Sequence, residues 1–169
     1  TASIKLDPNY DPAVYNNRGL AYKNLGQYYN AIEDYNQAIR MNPDYANAYN
    51  NRGTTYYKLE QYYNAIEDYG QAIRIEPDYA KSYYNRGLAY GKLEQSYKAI
   101  EDYSQAINID PNKTNAYRNR GIIKEELGQA YCNDYKKACN LGDNDCCEWY
   151  NNQCEDKYIP QSNTPTAED

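Results

Sequence analysis

The chain has 169 residues, a formal net charge of −6 and no histidine. It therefore lacks the basic stripe that neutralises phosphates, the commonest metal ligand and the commonest general base. No stretch approaches the roughly 18 consecutive apolar residues of a membrane span, and aromatic packing falls to 24 Tyr and one Trp (Trp149), with no Phe.

The chain opens at Thr1 with neither Met nor an apolar signal-like stretch, as expected of a processed product or a part of a longer protein. Ser3, Ile4, Lys5, Leu6, Asp7 and Pro8 read like Ala38, Ile39, Arg40, Met41, Asn42 and Pro43. Residues 1–11 are thus expected to be the closing turns of a second helix whose partner helix is missing.

From residue 12 a 34-residue period takes over. Arg-Gly recurs at Arg18, Arg52, Arg86 and Arg120; Pro43, Pro77 and Pro111 keep the step; Ile-Glu-Asp-Tyr recurs at 32–35, 66–69 and 100–103. Between 12–45 and 46–79, compared without gaps, 23 of 34 positions are identical. Such a period belongs to stacked helix pairs. In the first unit Tyr15, Gly19 and Tyr22 lie along one face of a helix over 13–25. After a break near Gly26, Ala31, Tyr35, Ala38 and Met41 do the same for a second helix, which Pro43 ends. Gly19 and Ala31 are small enough to let the two helices close on each other. One pair has too little apolar surface to fold alone, so stacking builds the core. The fourth unit departs from the pattern, as terminal units do. Lys124 replaces a Tyr, and its second helix, over 130–141, aligns only with a two-residue deletion.

Five cysteines follow: Cys132, Cys139, Cys146, Cys147 and Cys154. A helix stop and start lie between them, around Gly142 and Asp143. Two antiparallel helices folded about Asp143 bring Cys139 opposite Cys147 and Cys132 opposite Cys154, since each pair is equidistant from that residue. Disulfides 139–147 and 132–154 would staple the last repeat to a capping helix within 144–156. Reduced, buried thiols and a four-cysteine zinc site are the alternatives, the latter without any Cys-x-x-Cys spacing to support it. With the bridges formed the chain works outside the cytoplasm, in the periplasm, at the cell surface or secreted; without them it is cytoplasmic. Asn112, Lys113 and Thr114 form a glycosylation sequon, and a flexible tail is expected from residue 157 to Asp169.

The repeating residues resemble the tetratricopeptide repeat. Tyr15, Gly19, Tyr22, Ala31, Tyr35, Ala38 and Pro43 carry the resemblance in the first unit. Tyr49, Gly53, Tyr56, Ala65, Tyr69, Ala72 and Pro77 carry it in the second, and Tyr83, Gly87, Tyr90, Ala99, Tyr103, Ala106 and Pro111 in the third. It covers about residues 12–143. It implies an all-α, right-handed superhelical solenoid of antiparallel helix pairs, here four repeats plus the capping helix. Arg18, Arg52, Arg86 and Arg120 depart from it, standing where the family usually has Leu. Their stems are expected on apolar surface and their heads on the Glu-Asp of a second helix.

The resemblance also implies that first helices line a concave groove, on which Asn16, Asn17, Asn50, Asn51, Tyr84, Asn85, Arg118 and Asn119 would face a ligand. Asn17, Asn51, Asn85 and Asn119 make one amide per repeat, donor and acceptor together, suited to the backbone of an extended peptide. Of the family's carboxylate clamp, Asn51 and Lys81 fit, while Leu20 and Asn85 stand where another Asn and an Arg belong. The carboxylates of Glu33, Asp34, Glu67, Asp68, Glu101 and Asp102 repeat with the architecture, whereas a catalytic pair would occur once. The expectation is a non-enzymatic scaffold without cofactor or metal, binding a peptide or protein surface. The alternative is a subunit that stacks end to end with copies of itself into an extracellular filament, through the edge left open by the missing helix.

Overall fold

A computed structural model describes residues 11–155. Among them run nine α-helices: α1 Pro12–Asn24, α2 Tyr28–Met41, α3 Ala46–Lys58, α4 Tyr62–Ile75, α5 Ala80–Lys92, α6 Ser96–Ile109, α7 Thr114–Glu126, α8 Cys132–Asn140 and α9 Asn144–Tyr150. A π-helical turn, Asn151–Glu155, continues α9. Residues 1–10 and the tail from residue 157, with the readings made on them, lie outside the described residues.

Helix ends follow from local chemistry. Asp11 caps α1 by accepting a 2.9 Å bond from the Ala13 N–H, with Pro12 at the first helical position, where it forfeits no ladder bond. α1, α3, α5 and α7 all stop alike. A Leu closes each helix, and the next residue takes a positive φ: Gly26 at 74°, Glu60 at 59°, Glu94 at 56° and Gly128 at 65°. The N–H of Gln27, Gln61, Gln95 or Gln129 then returns to a carbonyl five residues back, at 2.8–2.9 Å, and so satisfies an end carbonyl. α2, α4 and α6 end two residues before Pro43, Pro77 and Pro111.

The helices pack in consecutive antiparallel pairs, the arrangement of a tetratricopeptide-like solenoid with about four repeats and a final helix. Two compact units divide the chain, 1–111 and 112–169. In the first, α1 packs on α2, α3 on α4 and α5 on α6, while α2 meets α3 and α4 meets α5. Tyr35, Tyr69 and Tyr103 fill its middle among fully buried Ala31, Ala38, Ala65, Ala72, Ala99 and Ala106. Each Tyr ring lies against a glycine of the preceding helix, so closely that a Cβ on Gly19, Gly53 or Gly87 would stand 2.8–2.9 Å from the ring edge. In the second unit α7 packs on α8 and α8 on α9.

Two boundaries differ from expectation. α8 begins at Cys132, two residues after the expected 130. The terminal helix, expected to run to 155 without a break, widens into the π turn from Asn151. That turn carries Cys154, whose position answers to Cys132 as well as to the helical ladder.

Candidate binding face on the first helices

The paired carboxylates sort by side. In the first unit Asp34, Asp68 and Asp102 point inward and take both nitrogens of an arginine fork. Arg18 Nε and Nη2 reach Asp34 at 2.7 and 2.6 Å, those of Arg52 reach Asp68 at 2.8 and 2.6 Å, and those of Arg86 reach Asp102 at 2.8 and 2.8 Å. Glu33 instead points outward, to Arg40 at 3.2 Å. Arg18, Arg52 and Arg86 also lie over the rings of Tyr15, Tyr49 and Tyr83, at 5.3, 5.5 and 5.7 Å from the centroids. Burial alone would push the Asp102 carboxyl up and the Arg86 guanidinium down. Burial prevails at Asp102, whose carboxyl stays raised, while the bonds to Asp102 prevail at Arg86 and hold its guanidinium above its ordinary value. These carboxylates are structural: each already has a bidentate partner, and the pairing repeats with the fold. The arginines that replace the family's Leu thus stand between first and second helices, as their stems and forks led one to expect.

The amides on α1, α3 and α5 behave differently from a free ladder. Asn16 and Asn50 are buried, at 6% and 0% exposure. Asn51 Nδ2 donates to Asn16 Oδ1 at 2.9 Å, and Asn85 Nδ2 donates to Asn50 Oδ1 at 3.1 Å, so each amide ties its helix to the preceding first helix. Asn50 Oδ1 takes a second bond from Ser82 Oγ at 3.2 Å, and its own Nδ2 is buried without a partner. Asn17 is exposed, Asn51 and Asn85 half-buried. Tyr84, where the series has Asn16 and Asn50, leans on Tyr103 at 5.8 Å between ring centroids. Sequence reading had aimed these amides at a ligand and missed the bonds between repeats. The bonded pairs stand 35 residues apart, one more than the period, so the repeat itself does not mark them.

Four lysines belong to the same three helices. Lys23 and Lys58 lie in the last turns of α1 and α3, Lys81 in the first turn of α5 and Lys92 in its last. No carboxylate among the described residues pairs with any of them. Partial burial, together with the charges of Lys81 and Lys58, draws the Lys23 ammonium below its ordinary value.

In the second unit Arg120 reaches Asp134 through Nε at 3.1 Å and Nη2 at 2.6 Å, and Lys124 adds a bond to the same carboxylate at 2.8 Å. Arg118 pairs with Asp143 at 3.0 Å, and Asn119 is half-buried. Asp143 also caps α9 through the Cys146 N–H at 3.1 Å. The Sγ atoms of Cys132 and Cys154 are 1.97 Å apart, those of Cys139 and Cys147 2.04 Å, so both lie at bonding distance. Cys146 is free and buried, its thiol pushed up to about 11 by burial and by Asp143. Trp149 packs on Tyr135, with centroids 4.3 Å apart, and on Tyr131 at 5.1 Å. Asn112 is exposed. Among the described residues no helix is long and apolar enough to cross a membrane.

Residues 12–45 and 80–113 match the family described as Tetratricopeptide repeat, as do residues 34–67 under a second pattern of that description; residues 53–94 match one described as TPR repeat. Among solved structures, the crystal structure of MamA is 28% identical, with a TM-score of 0.76 over 83% of each chain. The first TPR of Spaghetti (RPAP3), bound to the HSP90 peptide SRMEEVD, is 26% identical, with a TM-score of 0.69 over 75% of this chain and 100% of that one. The first TPR domain of human RPAP3, solved by NMR, is 26% identical, with a TM-score of 0.68 over 72% of this chain and 94% of that one.

Proposed function

Because the chain belongs to the tetratricopeptide repeat family, we propose that it is a non-catalytic binding module that takes an extended segment of a partner protein on the face of α1, α3 and α5. The observation that carries this reading is the pair of amide bonds between repeats. Asn51 to Asn16 and Asn85 to Asn50 hold three first helices in fixed register before any ligand arrives. A face ordered in advance loses less entropy on binding than one that must be assembled. With the donors of Asn51 and Asn85 engaged, their carbonyl oxygens remain as acceptors for the N–H groups of an extended backbone. A structural relative, the first TPR of Spaghetti (RPAP3), is bound to a peptide, which supports the mode of binding.

The test is selection of peptides from a random library on the full chain, followed by affinity measurement. Asn51→Ala and Asn85→Ala should each weaken the selected peptide by about 1 kcal/mol with helicity retained. Asn30→Ala, on an exposed part of α2, should leave affinity unchanged. If the double variant binds as tightly as the parent and only melts earlier, the amides serve repeat stacking alone.

A further inference from the structure

A cavity of about 260 Å³ opens along α9 and the π turn, lined by Asp145, Glu148, Trp149, Asn152 and Gln153. Steps of three and one residue set these positions on a single helical face. Cys147 and Cys154, on the same segment, stand at bonding distance from Cys139 and Cys132 and so anchor it to α8. The indole is held as well, packed on Tyr135 and Tyr131. Asp145 and Glu148 are exposed, and no cation among the described residues reaches either. Small-molecule sites begin at roughly 300 Å³. A smaller cavity walled by one ring, two carboxylates and two amides suits a single side chain.

The chain itself shows what satisfies such a combination. Arg18, Arg52, Arg86 and Arg120 each lie over a tyrosine ring while holding an aspartate. The cavity on α9 has the ring and the carboxylates but no arginine. A guanidinium is planar, stacks on an indole and donates five N–H groups, which carboxylates and amide oxygens can share. We infer that this cavity takes an arginine side chain presented by a foreign protein. The net charge of −6 draws a cationic segment in from a distance. A second copy has little to offer, since Arg40 and Arg118 hold Glu33 and Asp143, and Arg74 alone among the described arginines meets no carboxylate. Residues 1–10 and 156–169 contain no arginine. The site is separate from the face of α1, α3 and α5 and does not depend on the reading made there.

The experiment uses the full chain and a pentapeptide with arginine between paired glycines, acetylated and amidated at its ends. The same peptide with lysine, or with citrulline as the neutral isostere of arginine, serves for comparison. Trp149 is the chain's one tryptophan, so its emission reads the cavity directly. The arginine peptide should change that emission saturably and less tightly as salt is raised; the lysine peptide should bind more weakly and the citrulline peptide not at all. Asp145→Asn and Glu148→Gln should each weaken binding roughly two- to fivefold with helicity retained. Glu67→Gln, at an exposed position of α4, should leave it as in the parent. No saturable change, an equal response to citrulline, or an unaltered dissociation constant in the double variant of Asp145 and Glu148 overturns the proposal. Binding that emerges only in the Lys157→Gln chain would make this chain's own lysine the occupant and overturn it too. Emission that varies with chain concentration, and ceases to in Arg74→Gln, would make a second copy the donor and overturn the foreign partner.

Discussion

At the residue scale, the fold turns on the meeting of a glycine with a tyrosine. A Cβ added to Gly53 would lie 2.9 Å from Tyr69 Cε1 and 3.1 Å from Asp68 Cβ, and that ring is 1% exposed, with no room to retreat. The fourth repeat is looser: a Cβ on Gly121 meets Asp134 Cβ at 3.4 Å and Tyr135 at 3.5 Å, ordinary contacts. Gly53→Ala should therefore cost about 1–3 kcal/mol by overpacking, against a helix-propensity gain of about 1 kcal/mol. Gly121→Ala keeps the gain with little of the cost, and should be neutral or stabilising. Urea unfolding of the two variants checks the contrast, and equal destabilisation would show that the fourth pair is as tight as the second. The arginines follow similar reasoning. An Arg in place of Leu is tolerable here only because a bidentate aspartate meets it, and removing either partner would leave the other charge buried.

At the element scale, the breaks between paired helices all need one residue in the left-handed region. Gly26 and Gly128 reach it freely, but Glu60 and Glu94 hold φ values of 59° and 56° against their Cβ. They also put a negative charge at a helix C-terminus, where the dipole disfavours it. Glu60→Gly and Glu94→Gly should each stabilise by up to about 1 kcal/mol, read as a rise in melting temperature. A fall would mean that the glutamates make contacts worth more than their strain. These same breaks show what could be read in advance. Gly26 announced the first, and the period copied it to Glu60 and Glu94, where composition alone gives no sign. The prolines likewise announced the ends of α2, α4 and α6. The amide bonds were hidden because they join positions 35 apart, which depends on how neighbouring helices cross, a property of packing. The π turn at Asn151–Glu155 carries Cys154, whose partner lies 22 residues away, and no local pattern of residues marks it.

At the scale of the whole molecule, using tyrosine in place of phenylalanine ties stability to alkaline pH. Tyr35 is fully buried, and burial pushes its phenol up to about 12; burial raises Tyr69 and Tyr135 in the same direction. Unfolded, each ionises near its ordinary value of about 10. A folded value above the unfolded one means that the stabilisation is complete below about pH 10 and is lost as pH climbs towards 12. Circular dichroism along an alkaline titration should therefore show helix loss within that window, with the buried phenols ionising as it proceeds. Phenols that all titrate near 10 while helicity persists would refute this. The indole stacked on Tyr131 and Tyr135 has a further use. Trp149 is the chain's one tryptophan and belongs to the 112–169 unit, so its emission reports on that unit alone, whereas helical dichroism sums over every repeat. The gap between the two melting midpoints, seen in one unlabelled sample, is a direct optical gauge of how independently the cystine-bearing end unfolds.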